Sequence, residues 1–483
     1  MICAVIRTPS SEEAVAAMGE ARRGGADLCE LRIDYLKDPD LKRILGAKPL
    51  PVLATARPRW EGGEYAGDEA LRLGLLEDAC RYGADYVDVE FRAYKDFDRA
   101  GAKLIVSTHD FDGTPADLEA TAAKMAALDP FLVKVACKAR GAADLARLVR
   151  LQKTFPTPLA VIAMGDFGEP LRILYHRYGG WLTFVSLKTG LESAPGQVTL
   201  EEMIRLYQAK TIDDATEVYG VVGDPVAHSK SPLVFNDVFK HLNVNARYVR
   251  LRVDDAAALR GLAEAMELRG CSVTIPHKQA AAGLADETDD IVRGTGAANT
   301  LTFADGKVSG ENTDLPAAME AIKDAAVKKW SHGIYGMKAL VLGAGGVSRA
   351  IAWGLKRKAA RVVIANRTFD RGKALAEELG VDYVRWESLR DARAQIVVNG
   401  TSVGMQPHPE ESPVDPALFK KDMVVMDTVY TPRNTKFLQD ARAAGALGID
   451  GVEMFLRQAN LQFKRWRGRP IPTEILKEFA QRL

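Results

Sequence analysis

The sequence predicts an α/β protein, with a (β/α)8 barrel in the N-terminal half and a Rossmann-type dinucleotide unit in the C-terminal half. Three observations carry that prediction. Eight short apolar runs alternate with mostly helix-like stretches over residues 1–210. A strand-like run, a glycine-rich loop and a helix-like segment follow one another from Lys338. The chain has 483 residues, and at about 100–200 residues per domain it should hold about two to four domains.

The apolar runs of the first half lie at 2–7, 27–33, 52–56, 86–91, 104–107, 131–136, 159–164 and 182–187. They are near-continuous hydrophobics, as expected of parallel strands buried on both faces. Helix-like stretches at 12–23, 69–82, 115–127 and 142–153 separate them, and another, at 200–209, follows the eighth. Eight such units fit a compact barrel; a doubly wound open sheet is the other arrangement with this rhythm. Residues 211–217 are polar and acidic and read as a linker that few contacts should cross. A new β run opens at 218–222, the strand before the glycine loop covers 338–342, and the last helix-like segment is 454–466.

Composition excludes several function classes. Lys+Arg number 65 and Asp+Glu 64, so no charge excess points to nucleic acid or an anionic membrane. The five cysteines (Cys3, Cys29, Cys80, Cys137, Cys271) are scattered without a ligand spacing. They read as reduced thiols, and no metal site is expected. No stretch is long and apolar enough to span a bilayer. A strand-like run directly after Met1 leaves no room for a leader, so a cytoplasmic protein is expected.

In a barrel of this kind the chemistry sits at the C-terminal ends of the strands. Charged and polar residues gather at those ends: Glu30, Arg32 and Asp34 on the second strand, Arg57 on the third, Glu90 on the fourth, and Ser107, His109 and Asp110 on the fifth. The sixth carries Lys134, and the loops after the seventh and eighth carry Arg172, Ser193 and Gln197. Lys134 interrupts an apolar strand, where an unpaired ammonium is costly to bury. Burial and cationic neighbours would favour its neutral amine, which can attack a ketone to form an imine; a solvated strand-end lysine is the plainer alternative. His109 fits a general acid/base with Glu90 orienting its ring.

These residues carry a resemblance. Glu30-x-Arg32-x-Asp34, Arg57 with Glu61-Gly62-Gly63, Ser107-x-His109-Asp110, Lys134 and Ser193-Ala194-Pro195-Gly196-Gln197 resemble type I 3-dehydroquinate dehydratases over residues 1–210. The resemblance implies a Lys134 imine with the substrate ketone, and proton transfer by His109 with Glu90 assisting. It also implies a carboxylate held by Arg172, and a pocket completed by Glu30, Arg32, Arg57, Ser193 and Gln197. Leu171 departs from the serine frequent in that family.

In the second half, Gly343-Ala344-Gly345-Gly346 follows an apolar strand, with Ser348 where a third glycine is usual. Such a loop lets a pyrophosphate approach a helix N-terminus. The next strand ends at Asn366-Arg367-Thr368, with Arg371 close behind. Arginine at this position suits a ribose 2′-phosphate, where an NAD enzyme would carry an acid. Upstream are Ser229, Ser231, Lys278, Asn299 and Asp314, each at the end of a short β run; downstream are Tyr430, Gly451 and Gln458. In order, their motifs resemble shikimate dehydrogenases over residues 217–483.

That resemblance implies a two-lobed α/β dehydrogenase. Residues 217–326, completed by 455–483, would form the substrate lobe, and 334–454 the NADP(H) lobe, after a barrel of residues 1–212. It assigns proton exchange at the substrate oxygen to Lys278 and Asp314, the carboxylate to Ser229 and Ser231, and further substrate contacts to Asn299, Tyr430 and Gln458. Gly451 would meet the nicotinamide, and Pro316-Ala317 replaces a glycine frequent after the aspartate. The implied reactions are consecutive: 3-dehydroquinate loses water, and the 3-dehydroshikimate formed is reduced with NADPH. A class I aldolase, an NAD-linked quinate dehydrogenase and a binding protein without chemistry are the rival readings.

Overall fold

The computed structural model describes every residue except Asp96, Pro195 and His332; Pro195, part of a motif noted above, therefore lies outside the described residues. The eight expected runs form eight parallel strands: β1 (Ile2–Ile6), β2 (Leu28–Arg32), β3 (Val52–Thr55), β4 (Tyr86–Glu90), β5 (Lys103–Asp110), β6 (Leu132–Lys138), β7 (Leu159–Met164) and β8 (Thr183–Val185). They pair in chain order, with β8 returning to β1. Between β7 and β8 one backbone bond, from Trp181 N to Leu159 O at 3.4 Å, closes the ring. Parallel pairing demands crossover connections, and helices Ser11–Gly24, Glu69–Arg81, Leu118–Ala126 and Ala142–Thr154 supply them where the apolar period lengthens. The 200–209 stretch is helical as expected, with a π-helical segment over Glu202–Leu206. Cys3, Val5, Leu28, Leu53, Ile105, Leu132 and Ile162 fill the barrel interior.

The chain divides into two compact units, Met1–Leu268 and Arg269–Leu483. The first holds the barrel together with β9 (Glu217–Gly223) and β10 (Ala246–Arg252), which pair in parallel, and the helices Ser231–His241 and Leu259–Met266. The expectation of few contacts across 211–217 is not met. Arg247 donates to Tyr207 O at 2.5 Å, Arg177 to Thr216 O at 2.9 Å and Tyr178 to Met266 O at 2.9 Å. The segment is polar because its groups are bonded to the surrounding structure; it is not a free tether.

The second unit begins within β11 (Leu268–Val273) and continues with β12 (Glu287–Thr288), β13 (Thr300–Ala304) and β14 (Lys307–Glu311). β13 runs antiparallel to both β11 and β14, and β12 lies parallel to β14. There follow β15 (Lys338–Leu342), β16 (Arg361–Ala365), β17 (Asp382–Tyr383), β18 (Ile396–Asn399), β19 (Val424–Asp427) and β20 (Leu447–Ile449) in the order β17-β16-β15-β18-β19-β20, all parallel. Ala339 and Val341 pack on one face, Leu340 and Leu342 on the other, so both faces of this sheet are buried. Strand order reverses between β15 and β18, and such a switch point opens a crevice at the strands' carboxyl ends.

Candidate active sites

The barrel register sets Glu90 beside Ser107 and Ser107 beside Lys134. Side chains alternate along a strand, so Asp88 points the same way as Glu90, and His109 the same way as Ser107. Arg57 ties this level together, reaching Glu90 at 2.5 Å, Asp88 at 2.8 Å and Ser107 Oγ at 2.9 Å. Lys134 Nζ donates to Asp88 Oδ2 at 2.8 Å, lies 3.9 Å from Glu30 Oε1 and sits over the Phe184 ring. The cost of its burial is thus met by pairing. Burial alone would raise Asp88, but Arg57 and Lys134 hold it well below the usual carboxylate range.

Lys134 lines a cavity with Glu30, Arg32, Arg57, Glu61, His109, Arg172, Ser193 and Gln197. Three buried nitrogens of cavity-lining residues have no hydrogen-bond partner among the described residues: Arg172 Nη2, Gln197 Nε2 and His109 Nδ1. Arg172 is 1% exposed, and its Nε is fixed on Ala163 O at 2.8 Å. Burial lowers its pKa to about 10. The other cavity arginines have acids: Arg32 pairs with Asp34, and Arg57 with Asp88 and Glu90. A buried guanidinium lacking a counter-ion is built to receive an anion. Ser193 N and Oγ both donate to Gln197 Oε1, which turns the Gln197 amide nitrogen to the cavity. Leu171, the departure noted in the sequence, is fully buried.

The geometry corrects one assignment. Glu90 bonds Arg57 and lies 2.7 Å from Arg72; it does not orient His109. The acid beside that imidazole is Glu61, whose Oε1 accepts from His109 N at 3.0 Å and stands 3.9 Å from Nδ1. Burial pushes Glu61 up to about 7, against the pull of Arg57 and the His109 N–H. Burial, then the charges of Arg57 and Lys134, push His109 well below its ordinary value, which leaves a neutral imidazole able to take a proton. The turn explains why the motif needs two glycines. A Cβ on Gly63 would lie 2.0 Å from Arg57 O, and one on Gly62 would strike Phe111, whose ring stacks on His109. Asp88 was also missed, although an acid two residues before Glu90 in an apolar strand was a readable signal.

In the second unit Lys278 Nζ donates to Asp314 Oδ2 at 2.6 Å. Asp314 opens the helix Asp314–Trp330, whose first turn accepts Pro316 without disruption. Asn299 is buried, and its side-chain amide bonds Thr313 and Thr300 at the turn before Asp314. Gln462, not singled out in the sequence, joins Ser272 to Thr300. Gln458 donates to Phe455 O, and Tyr430 stacks on Phe455. Ser229 and Ser231 lie in the first unit after β9, with Ser229 Oγ accepting from Ser231 N.

The glycine loop fits a dinucleotide. Gly343 has φ +102, and a Cβ there would meet Ser348, Thr401 and Gly400 O within 3.1 Å. Ser348 replaces the third glycine because its buried hydroxyl reaches Leu342 O and Gly400 O, stitching the loop across the switch point. Gly345 has open space before it, and a Cβ on Gly346 would lie 3.5 Å from the Lys278 side chain. Ala344 packs at the edge of the core between the glycines. Asn366 caps its own turn by donating to Thr368 O. Arg367 and Arg371 are exposed at this strand end. Gly451 starts the helix Gly451–Arg467, longer than the 454–466 expected; a Cβ there would lie 2.3 Å from Val429 O.

Comparisons with known proteins agree with this division of chemistry. Family models match for type I 3-dehydroquinase at residues 2–214, the shikimate dehydrogenase substrate binding domain at 221–301, and shikimate / quinate 5-dehydrogenase at 325–452. The chain is 39% identical to a chloroplastic bifunctional 3-dehydroquinate dehydratase/shikimate dehydrogenase of Arabidopsis thaliana, covering 98% of this chain and 83% of that one. It is 42% identical to a shikimate dehydrogenase (NADP(+)) of Syntrophobacter fumaroxidans over 53% of this chain and 89% of that one. A crystal structure of a shikimate dehydrogenase in complex with NADP+ superposes with a TM-score of 0.52 at 33% identity, covering 55% of this chain and 95% of that one. The chain belongs to the bifunctional 3-dehydroquinate dehydratase/shikimate dehydrogenases, with a lyase and an oxidoreductase on one polypeptide.

Proposed function

We propose that Lys134, His109 and Arg172 perform the dehydration. The observation that carries this reading is a cavity that brings together buried Lys134, the His109 imidazole and Arg172, a buried arginine without a counter-ion among the described residues. Arg172 receives the carboxylate of 3-dehydroquinate in a bidentate contact. The Lys134 nitrogen attacks the ketone carbon, and water leaves to give an imine. His109 removes the proton from the adjacent carbon, and the electron pair passes into the imine as an enamine. The enamine then expels the neighbouring hydroxyl, which takes that proton and departs as water. Hydrolysis of the imine frees 3-dehydroshikimate and Lys134. Glu61 holds the histidine; Glu30, Arg32, Arg57, Ser193 and Gln197 shape the pocket. Borohydride added with 3-dehydroquinate should inactivate this reaction and leave a stable adduct on Lys134; an adduct on another lysine refutes the imine.

For the reduction, Lys278 and Asp314 hold the substrate oxygen and exchange its proton, Ser229 and Ser231 take the carboxylate, and Tyr430, Gln458 and Asn299 complete the site. NADPH supplies the hydride when bound. Gly343, Ala344, Gly345 and Gly346 would admit its pyrophosphate; Asn366, Arg367, Thr368 and Arg371 would meet its 2′-phosphate, and Gly451 its nicotinamide. Catalytic labour would divide at residues 1–212, 217–326 with 455–483, and 334–454. No helix among the described residues is long and apolar enough to cross a membrane, and the five buried, unpaired thiols suit a reducing compartment. We place the protein in the cytoplasm, which cell fractionation tests.

A further inference from the structure

Arg172 reaches the cavity from a helix that cannot hold itself in place. Glu169–Ile173 is five residues long, and isolated helices of that length are unstable in water. Its position must come from its neighbours. On the inner side a Cβ on Gly168 would lie 2.2 Å from Ala163 O, so helix and β7 are in close contact. On the outer side the neighbours are Tyr207 and β10, and β10 lies beyond residues 2–214, the dehydratase match. Arg250 Nη1 donates to Glu169 Oε1 at 3.2 Å and to Tyr207 Oη at 3.0 Å, and Tyr207 donates to the same carboxylate. Arg252, two residues on and on the same face of the strand, donates to Asp166 at 2.9 Å and lies over the Phe167 ring at 4.8 Å. Its Nε is held by Asp224.

We propose that Arg250 and Arg252 of β10 are positioning residues of the dehydratase site, gripping residues 166–169 so that Arg172 meets the substrate carboxylate. This rests on the reading that Arg172 binds that carboxylate. The strand following the barrel is then part of the dehydratase machinery, and fusion of the two enzymes has a structural consequence for the first reaction. Misplacement of a binding group by about 1 Å is costly, and here the cost falls on substrate affinity because Arg172 contacts no reacting atom.

The test uses the full chain, with steady-state kinetics of both reactions on each preparation. Arg250→Met and, from the barrel side, Glu169→Gln should each raise KM for 3-dehydroquinate about tenfold with kcat within about twofold. Both should leave reduction of 3-dehydroshikimate unchanged, and Arg250→Lys should recover part of the affinity. Arg172→Lys serves as the reference. If it raises KM while Arg250→Met and Glu169→Gln do not, the grip is refuted and the Arg172 assignment stands. If Arg172→Lys also leaves KM unchanged, the assignment itself fails and the proposal with it. Parallel loss of both activities in Arg250→Met and Glu169→Gln shows a merely structural role and overturns the proposal.

Discussion

Replacing Glu61 by Gln should stabilise the protein in alkali while crippling the dehydratase. Glu61 is 7% exposed, and its Oε2 has no hydrogen-bond partner among the described residues and lies 3.9 Å from Arg57 Nη1. Its carboxyl is pushed from 4.5 to about 7, chiefly by burial. A raised carboxyl favours the folded state in its protonated form, so its contribution is complete below about pH 4.5 and is lost as pH rises through about 7. At about 1.4 kcal/mol per pH unit of displacement, the ionised form costs the fold ~3 kcal/mol in alkali. Glutamine carries no such cost. Stabilities from urea unfolding of wild type and Glu61→Gln should therefore diverge in the variant's favour between about pH 4.5 and about pH 7, by up to ~3 kcal/mol, and stay that far apart at higher pH. Dehydratase kcat should fall on the order of 10²-fold, because the carboxylate that fixes His109 is gone. A stability difference independent of pH, or a variant with full activity, would refute this account of the Glu61–His109 pair.

Other outcomes follow from the same geometry. Glu90→Gln should act through stability, since it weakens the pairing of buried Arg57 and Arg72; removing one partner of such a pair costs about 3–5 kcal/mol, read as a lowered urea midpoint, and an activity loss without destabilisation contradicts this. Arg367→Ala should raise KM for NADPH about tenfold to a hundredfold and leave that for NADH nearly unchanged, the signature of a lost charge-assisted phosphate contact. Asp314→Asn should lower dehydrogenase kcat by about 10²–10⁴-fold with dehydratase activity intact, and equal loss of both would remove Asp314 from proton exchange.

Much of the architecture was legible because it follows from period and burial. Val52–Thr55 and Leu159–Met164 are strands buried along their whole length, and their unbroken apolar runs say so. Lys134 was readable for the opposite reason, as a charge placed where burial penalises it, whereas Lys278 and Asp314 were readable only through the order of motifs that resembles shikimate dehydrogenases. What failed depended on distances between segments. Glu90 and Glu61 are both acids near strand ends, and only the fold shows that Arg72 claims the first while the second turns toward His109. Residues 211–217 look like a tether from composition, yet Asp213 and Thr216 are bonded to Asn245 and Arg177. Arg250 and Arg252 read as ordinary strand residues until their partners, Glu169 and Asp166, are known.

The central claim is that one chain carries out both reactions in sequence, the first through Lys134. The most direct measurement follows NADPH oxidation by the purified chain given only 3-dehydroquinate, with Lys134→Met assayed alongside. Wild type should oxidise NADPH after the time needed to form 3-dehydroshikimate. Lys134→Met should do so only when 3-dehydroshikimate is supplied. Oxidation by Lys134→Met from 3-dehydroquinate, or none by wild type from 3-dehydroquinate despite activity on 3-dehydroshikimate, would contradict the account.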